Sequence, residues 1–285
     1  MKKVNIAKIF GSELKELMRL LRSSGKECYI VGGAVRDLLL GYEKFTDIDL
    51  TTSLSVEQLK QMFDQNQISF DDRALKYGCF SISNQKRSFQ ITSFRKDIRT
   101  FGRAADIELV ENIEEDAKRR DFTINAFYCS YNGQIIDPLG NLEDLNKIKL
   151  DFIGDPEVRI KEDYLRILRF FRFVAVLDLK DKNVVSKNLP IIRKHIDGIS
   201  FLSYERVASE IRKILIARSP SFALKLMNKV DLYKRLLGIY SQAAVLKLEK
   251  LENRFNLTPS LVRRLLALEI KTSIPLMIKK EKKYF

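Results

Sequence analysis

VGGAVRDLLLG at residues 31–41, followed by TDIDL at residues 46–50, is the stretch on which the fold turns. Cys28-Tyr29-Ile30-Val31 forms an apolar run that leads straight into Gly32-Gly33 and reads as a strand. Residues 34–40 (AVRDLLL) are helical in pattern and stop at Gly41, a residue that closes a helix at no steric cost. Thr46 to Thr52 then alternates polar and apolar residues, the period of a strand. Asp47 and Asp49 are two apart on that strand, so both carboxylates leave from one face. Two such charges repel unless a cation neutralises them. A hard divalent ion such as magnesium, shared with phosphate oxygens, suits the pair. Gly32-Gly33, between strand and helix, lets backbone amides approach a phosphate closely, and the helix start adds a favourable dipole. Arg36 and Asp37 come next, within the first turn.

Outward from this unit, residues 12–22 place Leu14, Leu17, Met18 and Leu21 at helical spacing with Ser12 as N-cap, and a turn comes next at Gly25. Two further strands are predicted at 78–83 and 87–94, divided by a turn at Asn84-Gln85. RKDIRTFGRAADIEL, residues 95–109, is polar and glycine-containing and reads as a mobile loop. Residues 113–129 begin helical, and 133–137 form a short strand closed by Pro138. After Gly154-Asp155-Pro156 the pattern is helical over 160–178, 186–196, 203–217, 220–230 and 232–238, with more helix toward residue 270. The expected class is α+β: a mixed head over 1–150, a helical neck over 151–240 and a short helical body over 241–285.

The 285 residues carry a net charge of +14 and a pI near 9.6, which favours a polyanionic partner through counterion release. An acidic membrane surface attracts the same charge, but no apolar run approaches the ~20 residues that span a bilayer. The opening MKKVNIAKIFGSELKELMRLL lacks a continuous apolar core and a small-residue cleavage site, so it reads as mature, cytoplasmic protein. Cys28, Cys79 and Cys129 are scattered, and His195 is the one histidine. That composition argues against a zinc site or a histidine-dependent triad and leaves three reduced thiols.

VGGAVRDLLLG…TDIDL resembles the signature of the class II polymerase-β-like nucleotidyltransferases, the bacterial and eukaryotic CCA-adding enzymes and the bacterial poly(A) polymerases. RRDFTINAF, residues 119–127, is similar to the family's second motif and puts Arg119, Arg120 and Asp121 at positions that contact the nucleotide's triphosphate and sugar. EDYLR, residues 162–166, resembles the EDxxR motif. On a helix Asp163 and Arg166 would stand one turn apart on one face, an acceptor and a fork of donors able to read a base edge. Residues 95–103 fall where the family has a flexible loop that helps switch between CTP and ATP, with Arg95, Asp97 and Arg103 as its candidates. SYERVASEI, residues 203–211, is similar to the neck-helix motif through Ser203, Glu205, Arg206 and Glu210, which with Glu162 would brace the base-reading helix.

The resemblance implies template-independent addition of C, C and A to the 3′ end of tRNA from CTP and ATP. Asp47 and Asp49 would hold Mg2+, while Gly32, Gly33 and Arg36 hold the triphosphate. Arg120 and Asp121 would position the nucleotide, and Asp163 and Arg166 would choose its base. The chain departs from the pattern at Gln90 in FQITSFR, where relatives carry a third carboxylate, a glutamate. It departs again at Lys76-Tyr77-Gly78-Cys79, where His-Gly-Thr is commoner. Relatives also have longer helical body and tail regions that grip the tRNA elbow, so weak tRNA grip, compensation by the basic surface and a partner subunit all stay open. Poly(A) polymerases share the motifs but carry an LIGRRF-type segment where this chain has LKYGCFSISNQKRSF, residues 75–89, which favours CCA addition. A catalytically weakened RNA-binding homologue is the alternative from another class, suggested by Gln90 and the short C-terminal region.

Overall fold

Alternating apolar residues in the first half of the chain build a six-stranded sheet. The computed structural model describes residues 3–71, 75, 78–83, 87–101, 104–110, 112–179, 187–237 and 242–268. Eight strands occur among them: β1 (Cys28–Val31), β2 (Asp47–Thr52), β3 (Cys79–Ser83), β4 (Ser88–Ser93), β5 (Arg95–Phe101), β6 (Ala104–Leu109), β7 (Tyr128–Ser130) and β8 (Ile135–Ile136). Six form one sheet in the order β3-β4-β2-β1-β7-β8. Its pairings are antiparallel except for β2 with β4, which run parallel. Helices α1 (Ile6–Phe10), α2 (Ser12–Leu21), α3 (Gly33–Leu39), α4 (Val56–Gln65), α5 (Ile113–Lys118) and α6 (Leu142–Asn146) belong to the same unit, which comprises residues 1–147 and 151–154. Its core takes the inward residues of the central strands, Ile30, Ile48, Leu50 and Ile91, with Phe10, Leu14, Met18 and Phe63 from the helices.

Three details differ from the sequence reading. Ser12 is not an N-cap: α1 precedes it, and Gly11 at φ 95° turns the chain between the two helices. Residues 95–109 are not a loop but an antiparallel hairpin of β5 and β6. The β-branched residues Ile98, Thr100 and Ile107 on either side of Gly102 supply strand propensity that the polar composition masked. Gly102 and Arg103 lie outside the described residues. The segment 113–129 resolves into α5, a 3-10 turn at Thr123–Asn125 and β7.

The second unit, residues 148–150 and 155–285, is helical. It holds α7 (Pro156–Glu162), α8 (Leu165–Val176), α9 (Leu189–Lys194), a 3-10 segment (Ile196–Phe201), α10 (Tyr204–Ile216), α11 (Pro220–Lys229), α12 (Leu232–Leu237), α13 (Gln242–Arg254) and α14 (Leu261–Ala267). The stretch from 241 thus shares a unit with the neck. Its Arg264 is buried, pairs with buried Glu252 at 2.7 Å, and donates to the backbone carbonyls of Leu215 and Ala217 at the end of α10. No helix among the described residues is long and apolar enough to cross a membrane.

Candidate active site

The period-two alternation of β2 buries Ile48 and Leu50 and leaves Asp47 and Asp49 exposed on the opposite face. Across the parallel ladder Gln90 stands level with Asp49, and it too is exposed. On the other side β1 brings Val31 level with Asp49, so the Gly32 turn begins beside that carboxylate. Gly32 has φ 74° and ψ −131°, a conformation costly for any residue with a Cβ. A Cβ at Gly32 would lie 3.6 Å from Asp49 Oδ2 and 3.7 Å from Arg120 Nη1. An anionic oxygen and a guanidinium nitrogen therefore converge on one point at the glycine turn.

Arg120 is aimed there by a buried anion that sequence reasoning missed. Asp116, on α5, is fully buried. Its Oδ2 accepts from Arg120 Nη2 at 2.8 Å and from the Tyr128 hydroxyl at 2.7 Å, and its Oδ1 accepts from Arg119 Nη2 at 2.6 Å. Arg120 Nε also donates to Tyr128 Oη at 3.0 Å. Burial alone would push the Asp116 carboxyl up, but Arg120 and Arg119 outweigh it and hold the group well below the usual carboxylate range. The same pairing raises Arg120 against its own burial. One carboxylate holds two guanidiniums, so this group as a whole stays cationic, suited to a polyphosphate. The spacing that could have revealed it is the i,i+3 and i,i+4 relation of Asp116 to Arg119 and Arg120.

Arg36 and Asp121 are also brought together, through Asn125. Arg36 is buried, and its Nη1 donates to Asn125 Oδ1 at 2.7 Å while its Nε donates to Asp37 at 2.8 Å. Asn125 Nδ2 in turn donates to Asp121 Oδ1 at 3.0 Å, which also accepts the Phe122 amide at 2.9 Å. Arg95 is half-buried at the start of β5; the side chain of Asp97 and all of Arg103 fall outside the described residues.

In the second unit the expected single helix over 160–178 is broken at Asp163, correcting the reading that Asp163 and Arg166 share one helix face. Asp163 is extended, at φ −151° and ψ 106°, because its side chain competes for the backbone: Oδ1 accepts the Leu165 amide at 3.1 Å and starts α8. Its Oδ2 accepts from Arg206 Nη2 of α10 at 2.7 Å. Arg166 is buried and donates to Glu162 and, at 2.6 Å, to the Arg159 carbonyl. Glu210 accepts from Arg172 of α8 at 2.7 Å and from Lys213 at 3.4 Å, while Glu205 is exposed in the first turn of α10. Arg206 thus ties α10 to Asp163, and Glu210 ties it to α8.

Among the described residues no group of three or more His, Cys, Asp and Glu could hold a metal. Magnesium, however, is commonly held by one or two carboxylates with substrate phosphates and water completing the shell. The exposed pair Asp47 and Asp49, both hard oxygen donors beside the Gly32 turn, fits that demand.

Residues 28–151 match the family model of the poly(A) polymerase head domain, and residues 190–242 match a model described as a probable RNA and SrmB-binding site of polymerase A. The chain is 35% identical over 243 residues to the human mitochondrial CCA tRNA nucleotidyltransferase 1, covering 85% of this chain and 56% of that protein. It is 34% identical over 230 residues to a CCA-adding enzyme of Streptococcus pyogenes, covering 80% and 55%. The chain therefore spans about half the length of these curated relatives. Among solved structures, the Bacillus stearothermophilus CCA-adding enzyme in complex with CTP matches at a TM-score of 0.63 and 30% identity, covering 81% of this chain and 58% of that one. A tRNA nucleotidyltransferase complexed with a primer tRNA and an incoming ATP analog shares the fold, at a TM-score of 0.66 and 24% identity, covering 88% and 74%. With residues 28–151 and 190–242 matched in this way, the chain belongs to the polymerase-β-like nucleotidyltransferase family of the CCA-adding enzymes and poly(A) polymerases.

Proposed function

We propose that this chain adds C, C and A to the 3′ end of tRNA from CTP and ATP in the cytoplasm. The observation that carries the reading is the convergence of Asp49 and Arg120 on the Gly32 turn, with Asp47 on the same exposed face of β2. Relatives of this sequence are named CCA-adding enzymes or CCA tRNA nucleotidyltransferases, which favours CCA addition over A-tailing. Three free thiols suit a reducing compartment.

In this mechanism the RNA 3′-hydroxyl attacks the α-phosphate of the bound nucleotide in line, and pyrophosphate leaves. Asp47 and Asp49 would hold Mg2+, which when bound lowers the hydroxyl's pKa and neutralises the leaving group. The Gly32 turn admits the triphosphate close to the backbone, and Arg120, aimed by Asp116, offsets its charge. Buried Arg36 is held by Asn125, which also fixes Asp121, and its Nη2, 3.7 Å from where a Cβ at Gly33 would lie, would hold the triphosphate together with the glycine turn. Asp163 and Arg166 select the base, and Glu162, Arg206 and Glu210 hold them in place. Little covalent work falls to the protein; it supplies position and electrostatics.

The test incubates the chain with tRNA ending at the discriminator base, Mg2+, and CTP, ATP or both, and sequences the products. CCA ends with both nucleotides support the proposal, long A-tails point to a poly(A) polymerase, and no extension with retained tRNA binding makes the chain a binding homologue. Asp47→Ala with Asp49→Ala should abolish extension and leave the far-UV circular dichroism unchanged, because both side chains are exposed.

A further inference from the structure

The second unit displays an aromatic surface that the proposed chemistry does not use. Phe201 is 82% exposed and Tyr204 50% exposed, at the junction of the 3-10 segment and α10. Burying even part of a phenylalanine ring is favourable, so leaving it in water is a cost that asks for a partner. The Phe201 ring lies against Tyr164, with centroids 6.1 Å apart and planes at 39°. Tyr164 is held from behind: a Cβ at Gly198 would come within 2.1 Å of its ring, so the ring rests directly on backbone. Ser200 and Leu202, on either side of Phe201, line a cavity of about 420 Å3 together with Ile196, Ile199, Leu232, Tyr204 and the ion pair of Arg235 with Asp197. That volume lies within the ~300–1,000 Å3 typical of small-molecule pockets.

We infer that Phe201, backed by Tyr164, is a stacking platform for an unpaired base of the RNA. Two observations on the chain, and one general property of aromatic rings, favour RNA as the occupant. The cavity's lining falls entirely within residues 190–242, the stretch that matches a probable RNA-binding site. That stretch carries ten Lys and Arg against four Asp and Glu, a surface complementary to a polyanion. Aromatic faces accept any base, and the combination of ring and cation is how single strands are held without sequence readout. Tyr164 directly follows Asp163, so the platform joins RNA binding to the segment assigned to base selection. The inference deepens the proposed RNA substrate and rests on that part of the reading alone.

The experiment uses the full chain and tRNA minihelices ending at the discriminator base, one C beyond it and two C beyond it, with 2-aminopurine substituted at each unpaired 3′ position in turn. Stacking on Phe201 quenches the fluorescence of at least one position in the wild type. Phe201→Leu keeps an apolar side chain at an exposed site but removes the ring. It should abolish that quench and weaken minihelix binding about 5- to 150-fold, the range seen for loss of one stacked aromatic. Phe201→Trp should restore both. Unchanged quench and affinity in Phe201→Leu would overturn the inference, as would tight capture of a protein at Phe201 with RNA binding unaffected. Nucleotide addition is measured in parallel. A wild type that extends tRNA while Phe201→Leu binds RNA normally sinks the platform and spares the function. A wild type that never extends but shows the ring-dependent quench does the reverse.

Discussion

Asp116→Asn removes the one charge on which Arg119, Arg120 and Tyr128 converge. The side chain keeps its shape, but an amide that can itself donate now faces two guanidiniums and a hydroxyl, and two cations at 14% and 15% side-chain exposure lose the charge of this carboxylate. Breaking a buried pair from one side costs about 3–5 kcal/mol. In a unit of about 150 residues each kcal/mol moves the midpoint by about 2–4 °C, so its transition should fall by roughly 6–20 °C. Arg120 also loses its aim at the Gly32 turn, so CTP and ATP affinity should fall alongside. The pH dependence gives a sharper test. The folded carboxyl of Asp116 sits below its ordinary value of 3.8, so its contribution is complete above that pH and is lost as the pH falls toward the folded pKa. The gap in midpoint between wild type and variant should therefore be constant from pH 8 to about pH 5 and narrow at more acid pH. Thermal melts followed by circular dichroism across that range, with nucleotide titration at pH 7, make the comparison. A variant within 1 °C of wild type at pH 7, or a gap that widens on acidification, would refute the reasoning.

Gly32→Ala forces a Cβ into a φ of 74°, at about 1–3 kcal/mol, and places a methyl between Asp49 and Arg120. The melt should drop by a few degrees while CTP affinity falls by much more; an unchanged CTP affinity would show that the turn does not border the substrate. Gln90→Glu adds a charge level with Asp49 on the next strand and should tighten Mn2+ binding roughly 10-fold, read by electron paramagnetic resonance without substrate. Equal Mn2+ affinity in both proteins would mean that residue 90 does not face a metal held by Asp47 and Asp49.

The strand–turn–helix–strand unit was legible because it is written in local terms. The alternation of β2 fixes which side Asp47 and Asp49 occupy, and the positive φ of Gly32 marks where the backbone opens. The register of Gln90 against Asp49 was not legible, since parallel pairing joins segments about 40 residues apart. The role of Asp116 was hidden for a similar reason. In EEDAKRR it looks like one charge on a solvated helix, and only Tyr128, arriving on β7, encloses it. Likewise nothing in EDYLR distinguishes an intact helix from one interrupted at Asp163, because the break is completed by Arg206 from α10. Charged residues proved hardest to place: their partners are chosen by tertiary neighbours, whereas apolar periodicity is settled within each element.

Arg264 changes how the chain can be shortened. Its guanidinium closes the open carbonyl end of α10, the helix whose other end carries Arg206 and the grip on Asp163. A deletion at the apparent neck boundary near 240 would strip that closure and leave Leu215 and Ala217 with unanswered carbonyls in an apolar setting. Residues 242–268 therefore work as a buttress. A cut before α14 removes that guanidinium and loosens the hold of α10 on Asp163 from behind.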